Sequence, residues 1–190
     1  LSIIILIMAY PIYFVLMASF SDPSYVNNGS MLLWPKGFTL LGYQKVFEDS
    51  RIWTGYGNTL IYTIGGTALG TFFTMMAGYA LSRRDLPFRN LLMAYFVFTM
   101  YFGGGLVPYY MVLKGIHMLN TFWVFIFPLM MSVYNMILVR SYVESMPESL
   151  FEAAKIDGAT DLTVFFRLVL PLAKPILMTI GLFVAVNQWN

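Results

Sequence analysis

Long apolar segments without a charged residue alternate with polar segments along the whole chain. Five such segments are present, at 1–20, 54–81, 91–113, 121–139 and 176–190. A helix needs about 20 apolar residues to cross the hydrocarbon core of a bilayer. A charged side chain at the centre of a span costs about 2.5–3.5 kcal/mol, and every Lys, Arg, Asp and Glu lies outside these segments. The pattern therefore predicts five spans of an all-α, polytopic membrane helical bundle.

Polar segments between the apolar runs define the predicted loops. Residues 21–53 combine turn residues with a short amphipathic helix around 41–47, and residues 140–175 form a second long loop. The first apolar run exceeds the roughly 7–15 residues of a signal-peptide core and no basic residue precedes it, so we interpret it as a span. We expect one membrane domain over residues 1–190, trimmed at both ends, since the chain opens on Leu1 and closes within an apolar run.

Composition indicates that lipid is the main solvent. Of 190 residues, 59% are hydrophobic and 11% are charged, against roughly 25% charged in soluble domains, and the mean hydropathy is +0.72. These values exclude an ordinary soluble globule and a disordered chain. A net charge of +2 does not indicate a nucleic-acid partner, and a chain without cysteine has no disulfide framework.

Basic residues indicate the orientation of the bundle. Loops 82–90 and 140–175 hold more Lys and Arg than the opposite loops, and Arg83, Arg84 and Arg89 lie in the short 82–90 loop. Short loops dominate the positive-inside rule. We therefore expect these loops and the N-terminal end inside the cell, with residues 21–53 outside.

Motifs for catalysis are missing from the sequence. Gly is nowhere followed by Lys, so the phosphate-binding G-x-x-x-x-G-K-[ST] loop of an ATPase is absent. The single histidine, His117, excludes H-E-x-x-H and multi-histidine metal sites. We expect a protein that is not itself an enzyme and has neither catalytic residues, metal nor cofactor.

The loop 140–175 has the local signals of a helix–turn–helix. Ser145 and Glu148 fit a capping box, which predicts a first helix over 148–156. Gly158 follows as a left-handed C-terminal cap. A second helix is predicted over 162–170, and either Thr160 or Asp161 can start it.

One face of the predicted first helix carries the charged side chains of Glu148, Glu152 and Lys155. Ala153 and Ala154 leave a low surface that a partner groove can approach closely. A helix lying flat on the inner leaflet is the alternative interpretation. The acidic side chains suit an anionic lipid surface poorly, which favours a protein partner.

This loop resembles the EAA loop of permease subunits from bacterial ABC importers. The family pattern is EAA, three residues, Gly, nine residues and Ile-x-Leu-Pro. Glu152-Ala153-Ala154, Gly158 and Leu170-Pro171 match it, with Leu168 in place of the usual Ile. The stretch 147–159 is similar to the carbohydrate-uptake branch, especially the second permease of maltose-type systems. Stretches similar to permeases for complex polysaccharide fragments are 102–108 and 119–123.

The resemblance implies a six-span bundle of which this chain shows five, in a bacterial cytoplasmic membrane. It implies that Glu152 makes the charged contact with an ATPase, that Ala153 and Ala154 permit close packing, and that Gly158 forms the turn. Implied partners are two ATPase subunits, a second permease and an external solute-binding lipoprotein. ATP hydrolysis would then occur in a separate subunit.

Glycines interrupt the third apolar run inside the membrane, at Gly103, Gly104 and Gly105. Irregular backbone at that depth is tolerated where it is buried in protein or lines a cavity. A solute path is one interpretation and a packing kink is the favoured one. Further path candidates are Tyr101, Tyr109, Tyr110, Asn135, Asn187 and Gln188. The small residues Gly66 and Gly70 are expected to pack against a second permease.

The favoured hypothesis is a permease subunit of an ATP-driven importer for a sugar or oligosaccharide, coupled through its EAA loop. The alternative is a self-contained secondary carrier or membrane scaffold whose loop lies on the inner leaflet. The energy source separates the two, because only the first requires an ATPase.

Overall fold

The computed structural model describes residues 2–189, with side chains from residue 4 onward. Every regular element among these residues is a helix, which confirms the all-α fold class. The chain divides into two compact units, Leu1–Asn58 and Thr59–Asn190. Residues 1 and 190, the outer limits of the first and last predicted spans, lie outside the described residues.

The first unit begins with helix α1 (Ser2–Ser19), which contains no charged residue. The segment after it doubles back, since the Tyr13 hydroxyl donates to the Leu33 carbonyl oxygen at 2.6 Å. Helix α2 (Pro23–Asn27) lies in this segment, and helix α3 (Leu41–Glu48) agrees with the predicted amphipathic helix. The segment predicted as an external loop is thus folded along α1.

Helix α4 (Ser50–Ser82) is the one described helix that is long and apolar enough to cross a membrane by itself. Its 33 residues extend about 50 Å and include the predicted run 54–81. Three bent helix pairs also pass this test when each pair counts as one span, which gives up to 4 spans. The apolar part of α1, Ile4–Ser19, is shorter.

The third predicted span is not one straight helix. Helices α5 (Arg89–Tyr101) and α6 (Leu106–Gly115) occupy the run 91–113 and meet at 118°. Gly105, just before α6, has a φ of +81°, a backbone region that glycine enters without steric cost. Three consecutive glycines favour a break here, because glycine is a poor helix former.

The fourth predicted span, 121–139, is also interrupted. Two 3₁₀ helices, Phe122–Phe125 and Phe127–Leu129, precede helix α7 (Val133–Glu144), which lies at 48° to them. Pro128 has no backbone N–H and therefore cannot continue an α-helix. Helix α7 extends past the predicted span into the predicted coupling loop.

The remaining elements are α8 (Glu148–Ile156), α9 (Asp161–Val164), a π-helical turn (Phe165–Val169), α10 (Leu170–Leu172) and α11 (Lys174–Trp189). The predicted second loop helix, 162–170, is therefore not a regular α-helix. Pro171 has no N–H to bond the Arg167 carbonyl oxygen and its ring crowds that oxygen, which explains the wide turn before it. The chain bends by 84° before α11.

The core of the second unit joins α4, α7, α8 and α11. Met75, Val139 and Ile180 are fully buried in one cluster with Phe165 of the π-helical turn. Phe151 of α8 belongs to the same cluster. The predicted coupling loop is therefore packed onto the long helices and shares their core.

Small residues of α4 let α11 approach closely. A Cβ atom on Gly66 would lie 2.9 Å from Gln188 Cδ, and one on Gly70 would lie 3.2 Å from Val184 Cγ1. The expectation that this face packs against a second permease is wrong, because a helix of the same chain already fills the low surface.

Candidate coupling site

Helix α8 has the bounds that the sequence predicts but begins differently. Pro147 is the N-cap residue and provides no side-chain hydrogen bond. The Ser145 hydroxyl instead donates to the Tyr142 carbonyl oxygen at 2.6 Å, at the end of α7. The predicted capping box is therefore wrong, because unpaired carbonyl groups in the last turn of α7 compete for the same hydroxyl.

Gly158 ends α8 in the left-handed conformation that the sequence predicts, with a φ of +73°. Its N–H donates to the Lys155 carbonyl oxygen at 3.0 Å, and the Ala159 N–H donates to the Ala154 carbonyl oxygen at 2.9 Å. This pair of bonds is a Schellman motif, which satisfies the last carbonyl groups of the helix. The motif fixes the direction in which the chain leaves α8.

The two sides of α8 have different environments. Phe151 is buried, and the half-buried Ala154 packs against the same core cluster. Glu152 and Ala153 are exposed, and Ile156 is 85% exposed. Of the two alanines expected to form a low outer surface, Ala153 lies there and Ala154 anchors the helix. An exposed apolar isoleucine beside Glu152 was missed by sequence reasoning.

Two of the three charged side chains of α8 have partners within the chain. Glu148 lies 3.9 Å from Arg84, and Lys155 lies 3.2 Å from Asp85, both in the segment after α4. Glu152 has no ion-pair partner among the described residues. Of the three charged side chains of α8, Glu152 is therefore the one available to contact another molecule.

The segment after Gly158 returns to the core. The Thr160 hydroxyl accepts from the Thr163 N–H at 3.3 Å, so Thr160 is the cap of α9, one of the two alternatives that the sequence left open. Leu170 is half-buried and packs against the core cluster, whereas Pro171 is exposed. Both ends of the EAA-like pattern are therefore attached to the same core.

A second ion-pair cluster supports the end of α7. The Arg140 guanidinium contacts the Glu144 carboxylate at 2.9 Å, and Arg89 pairs with the same oxygen. Arg89 Nε also donates to the Leu81 carbonyl oxygen at 2.7 Å. Sequence reasoning missed Glu144, because nothing in the local pattern shows that Arg89, 55 residues away, joins the i,i+4 partner Arg140 at the same carboxylate.

The path candidates lie on separate elements. Tyr101, Tyr109, Tyr110 and Gly103–Gly105 are exposed around the break between α5 and α6. Asn135 is buried near the start of α7, where its N–H donates to the Ser132 hydroxyl at 3.4 Å. Asn187 is exposed on α11, and neighbouring Gln188 donates to the Phe125 carbonyl oxygen at 2.6 Å. The Tyr109 N–H donates to the Gly105 carbonyl oxygen at 3.3 Å, and no side-chain hydrogen bond joins these candidates within the described part of the chain.

These features define an all-helical membrane protein in which an exposed, glycine-ended helix is packed onto the core of the bundle. Residues 70–190 match the family described as binding-protein-dependent transport system inner membrane component. The chain belongs to this family.

Relatives of known name support the assignment. The chain is 37% identical over 180 residues to protein LplC of Bacillus subtilis, covering 95% of this chain and 61% of that protein. It is 39% identical over 185 residues to the polygalacturonan/rhamnogalacturonan transport system permease protein YtcP of Bacillus subtilis, covering 97% of this chain and 65% of the relative. The chain thus spans less than two thirds of the length of these two relatives.

A solved structure has the same fold. It is the crystal structure of a bacterial ABC transporter involved in the import of the acidic polysaccharide alginate. The match has a TM-score of 0.93 and 33% identity, and covers 100% of this chain and 68% of that one. The resemblance to carbohydrate ABC permeases seen in the sequence is therefore confirmed.

Proposed function

We propose that this chain is a permease subunit of an ATP-driven importer for a sugar or oligosaccharide. One observation carries the proposal: α8 exposes Glu152, Ala153 and Ile156 on one side while Phe151 on the other side belongs to the core shared with α4, α7 and α11. A partner that grips the outer side moves the core with it, because a close-packed core transmits displacement. A secondary carrier or a scaffold does not require a helix that is exposed on one side and anchored in the core on the other.

The proposed partners follow from the family. An ATPase subunit binds the outer side of α8, and the assembly contains two ATPase subunits, a second permease and an external lipoprotein that delivers the solute. ATP is hydrolysed in the ATPase subunits, and the proposed role of this chain requires neither a cofactor nor a metal. The loops 82–90 and 140–175 face the cytoplasm, and the N-terminal end lies inside.

The substrate class rests on proteins named for the transport of polygalacturonan/rhamnogalacturonan, arabinooligosaccharides and the acidic polysaccharide alginate. The proposed path runs past the break between α5 and α6, where Gly103–Gly105 open the backbone beside Tyr101 and Tyr109. Exposed tyrosines can stack on sugar rings and bond their hydroxyl groups. Asn135 and Asn187 are weaker candidates, since they lie on other elements.

The test uses the full-length protein with its partner subunits in proteoliposomes. Uptake of oligogalacturonides, alginate oligomers and maltodextrins is measured with and without ATP. We expect ATP-dependent uptake of at least one of them. Uptake that continues without the ATPase subunits and collapses with the ion gradient would establish the carrier alternative.

Charge reversal locates the coupling site. Glu152→Lys is expected to abolish the stimulation of ATP hydrolysis by substrate, because it places a like charge against the cation expected in the ATPase groove. Glu48→Lys, at an exposed glutamate of α3, is the matched control and should leave uptake unchanged. Equal uptake and equal stimulation of ATP hydrolysis in the two variants would show that Glu152 is not part of the coupling site.

A further inference from the structure

The turn that follows α4 contacts α8 through three consecutive residues. Asp85 accepts a hydrogen bond from Lys155 at 3.2 Å. The Arg83 guanidinium lies 5.0 Å from the ring centroid of Phe151. The third contact is the Arg84–Glu148 ion pair described above.

The three contacted residues of α8 lie on one side of that helix. Glu148, Phe151 and Lys155 are spaced i, i+3 and i+7, which places them in one row along the helix surface. Glu152 neighbours Glu148 at i+4, but no ion pair joins it to the turn among the described residues, and Ile156 lies further round the helix. The turn therefore holds α8 from its inner flank without covering the surface that the proposed ATPase would use.

Asp85 is the centre of the contact. Its carboxylate also lies 3.6 Å from Arg83 Nε, so it faces one cation from its own turn and one from α8. The hydrogen bond from Lys155 is the largest cause that lowers the pKa of the Asp85 carboxyl.

The contact joins two elements that are distant in the sequence. Asp85 and Lys155 are 70 residues apart, yet Arg83 directly follows the last residue of α4. Any displacement of α8 therefore reaches the end of the longest helix through side chains, in addition to the path through the core.

We propose that Arg83 and Asp85 are positioning residues for energy coupling: they fasten α8 to the end of α4, so that the two helices move together. The proposal rests on the proposed function and extends it to a loop outside the EAA-like pattern. Exposed ion pairs add little to folding stability. The side chains of Asp85 and Lys155 are 58% and 53% exposed, so an effect of Asp85 on coupling can be separated from an effect on folding.

A charge swap between Asp85 and Lys155 tests the proposal in the complete transporter, reconstituted in proteoliposomes. The measured quantity is the amount of sugar imported per ATP hydrolysed. We expect Asp85→Lys and Lys155→Asp each to lower this ratio by about fivefold, a typical coupling effect, while ATP hydrolysis persists. The double variant D85K/K155D restores opposite charges and is expected to recover most of the ratio.

Asp49→Lys is the control, since Asp49 forms an ion pair with the exposed Arg51 of α4 and has no ion pair with α8 among the described residues. The amount of sugar that this variant imports per ATP hydrolysed should equal that of the unaltered protein. Unchanged ratios in both single variants, or a double variant as poor as the singles, would overturn the positioning role alone. Uptake by the unaltered complex that needs no ATP would overturn the proposed function as well, so the two failures are distinguishable.

Discussion

Gly78 of α4 lies directly against Val139 of α7, where a Cβ atom on the glycine would be only 2.5 Å from Val139 Cγ1. Both residues are buried, and Val139 is fully so. The helix that ends at the Arg83–Asp85 turn is therefore in van der Waals contact with the helix that leads into α8. This contact is one of the points at which the bundle tolerates no additional atom.

We expect Gly78→Ala to lower the free energy of unfolding by about 1–3 kcal/mol, because the added methyl group overpacks the helix contact. Gly57→Ala is the control, since Gly57 lies in the same helix with nothing within 4 Å of its added methyl group. That control should raise stability slightly, as alanine favours the helix. Thermal unfolding in detergent distinguishes them, and equal melting temperatures would contradict the close contact.

Gly158→Ala is expected to loosen the end of α8. An L-residue at a φ of +73° costs about 1–2 kcal/mol, so the Schellman bonds should open more often. Hydrogen exchange at the amides of residues 158 and 159 is then faster, and less sugar is imported per ATP. Gly29→Ala, at a φ of +65° in the first unit, controls for strain elsewhere. Unchanged exchange at both amides would refute the prediction.

Glu144→Gln removes the negative charge that Arg89 and Arg140 share, and the side chains of these arginines are 21% and 23% exposed. Partly buried guanidinium groups lose charged hydrogen bonds, so we expect a loss of about 1–3 kcal/mol in the free energy of unfolding. Asp49→Asn breaks an ion pair with Arg51, which is 89% exposed, and should cost less than about 1 kcal/mol. Similar losses in the free energy of unfolding for the two variants would show that the Arg89–Glu144–Arg140 cluster does not stabilise the fold more than an exposed ion pair does.

The pKa of the Asp85 carboxyl is lowered from its ordinary value of 3.8, chiefly by the hydrogen bond from Lys155. The contribution of Asp85 to stability is therefore present above pH 3.8 and is lost as the pH falls through the lower folded pKa. We expect Lys155→Met to raise this pKa towards 3.8, measured by carbon NMR titration of the labelled carboxyl. The pKa of Asp49, lowered by its hydrogen bond with Arg51, should not change and serves as the internal control.

Local signals predicted α8 and Gly158 well. The left-handed conformation of a glycine after a short amphipathic helix depends on residues close to it in the chain, and the sequence shows these residues directly. The prediction of a Ser145–Glu148 capping box was wrong for an equally local reason, since the Ser145 hydroxyl donates to a carbonyl oxygen in the last turn of α7. The sequence did not show where α7 ends, because the apolar run stops at Val139 whereas the helix continues through polar residues to Glu144.

The broken third and fourth spans show the limit of hydropathy. Composition shows that residues 91–113 and 121–139 are apolar, and it gives no angle between successive helices. The glycines at 103–105 and Pro128 marked the places where a helix can end. The bends of 118° and 48° at these places are properties of the folded chain.

The sequence by itself determined the class of protein, the helical composition, the extent of α8 and its glycine turn, since each depends on composition or on residues a few positions apart. Tertiary structure decided which side of α8 is free, which glycines face α11, and that Arg83 and Asp85 meet Phe151 and Lys155. The physical reason is distance along the chain. Residues some 70 positions apart are brought together by the whole path of the backbone, and no local pattern encodes that path.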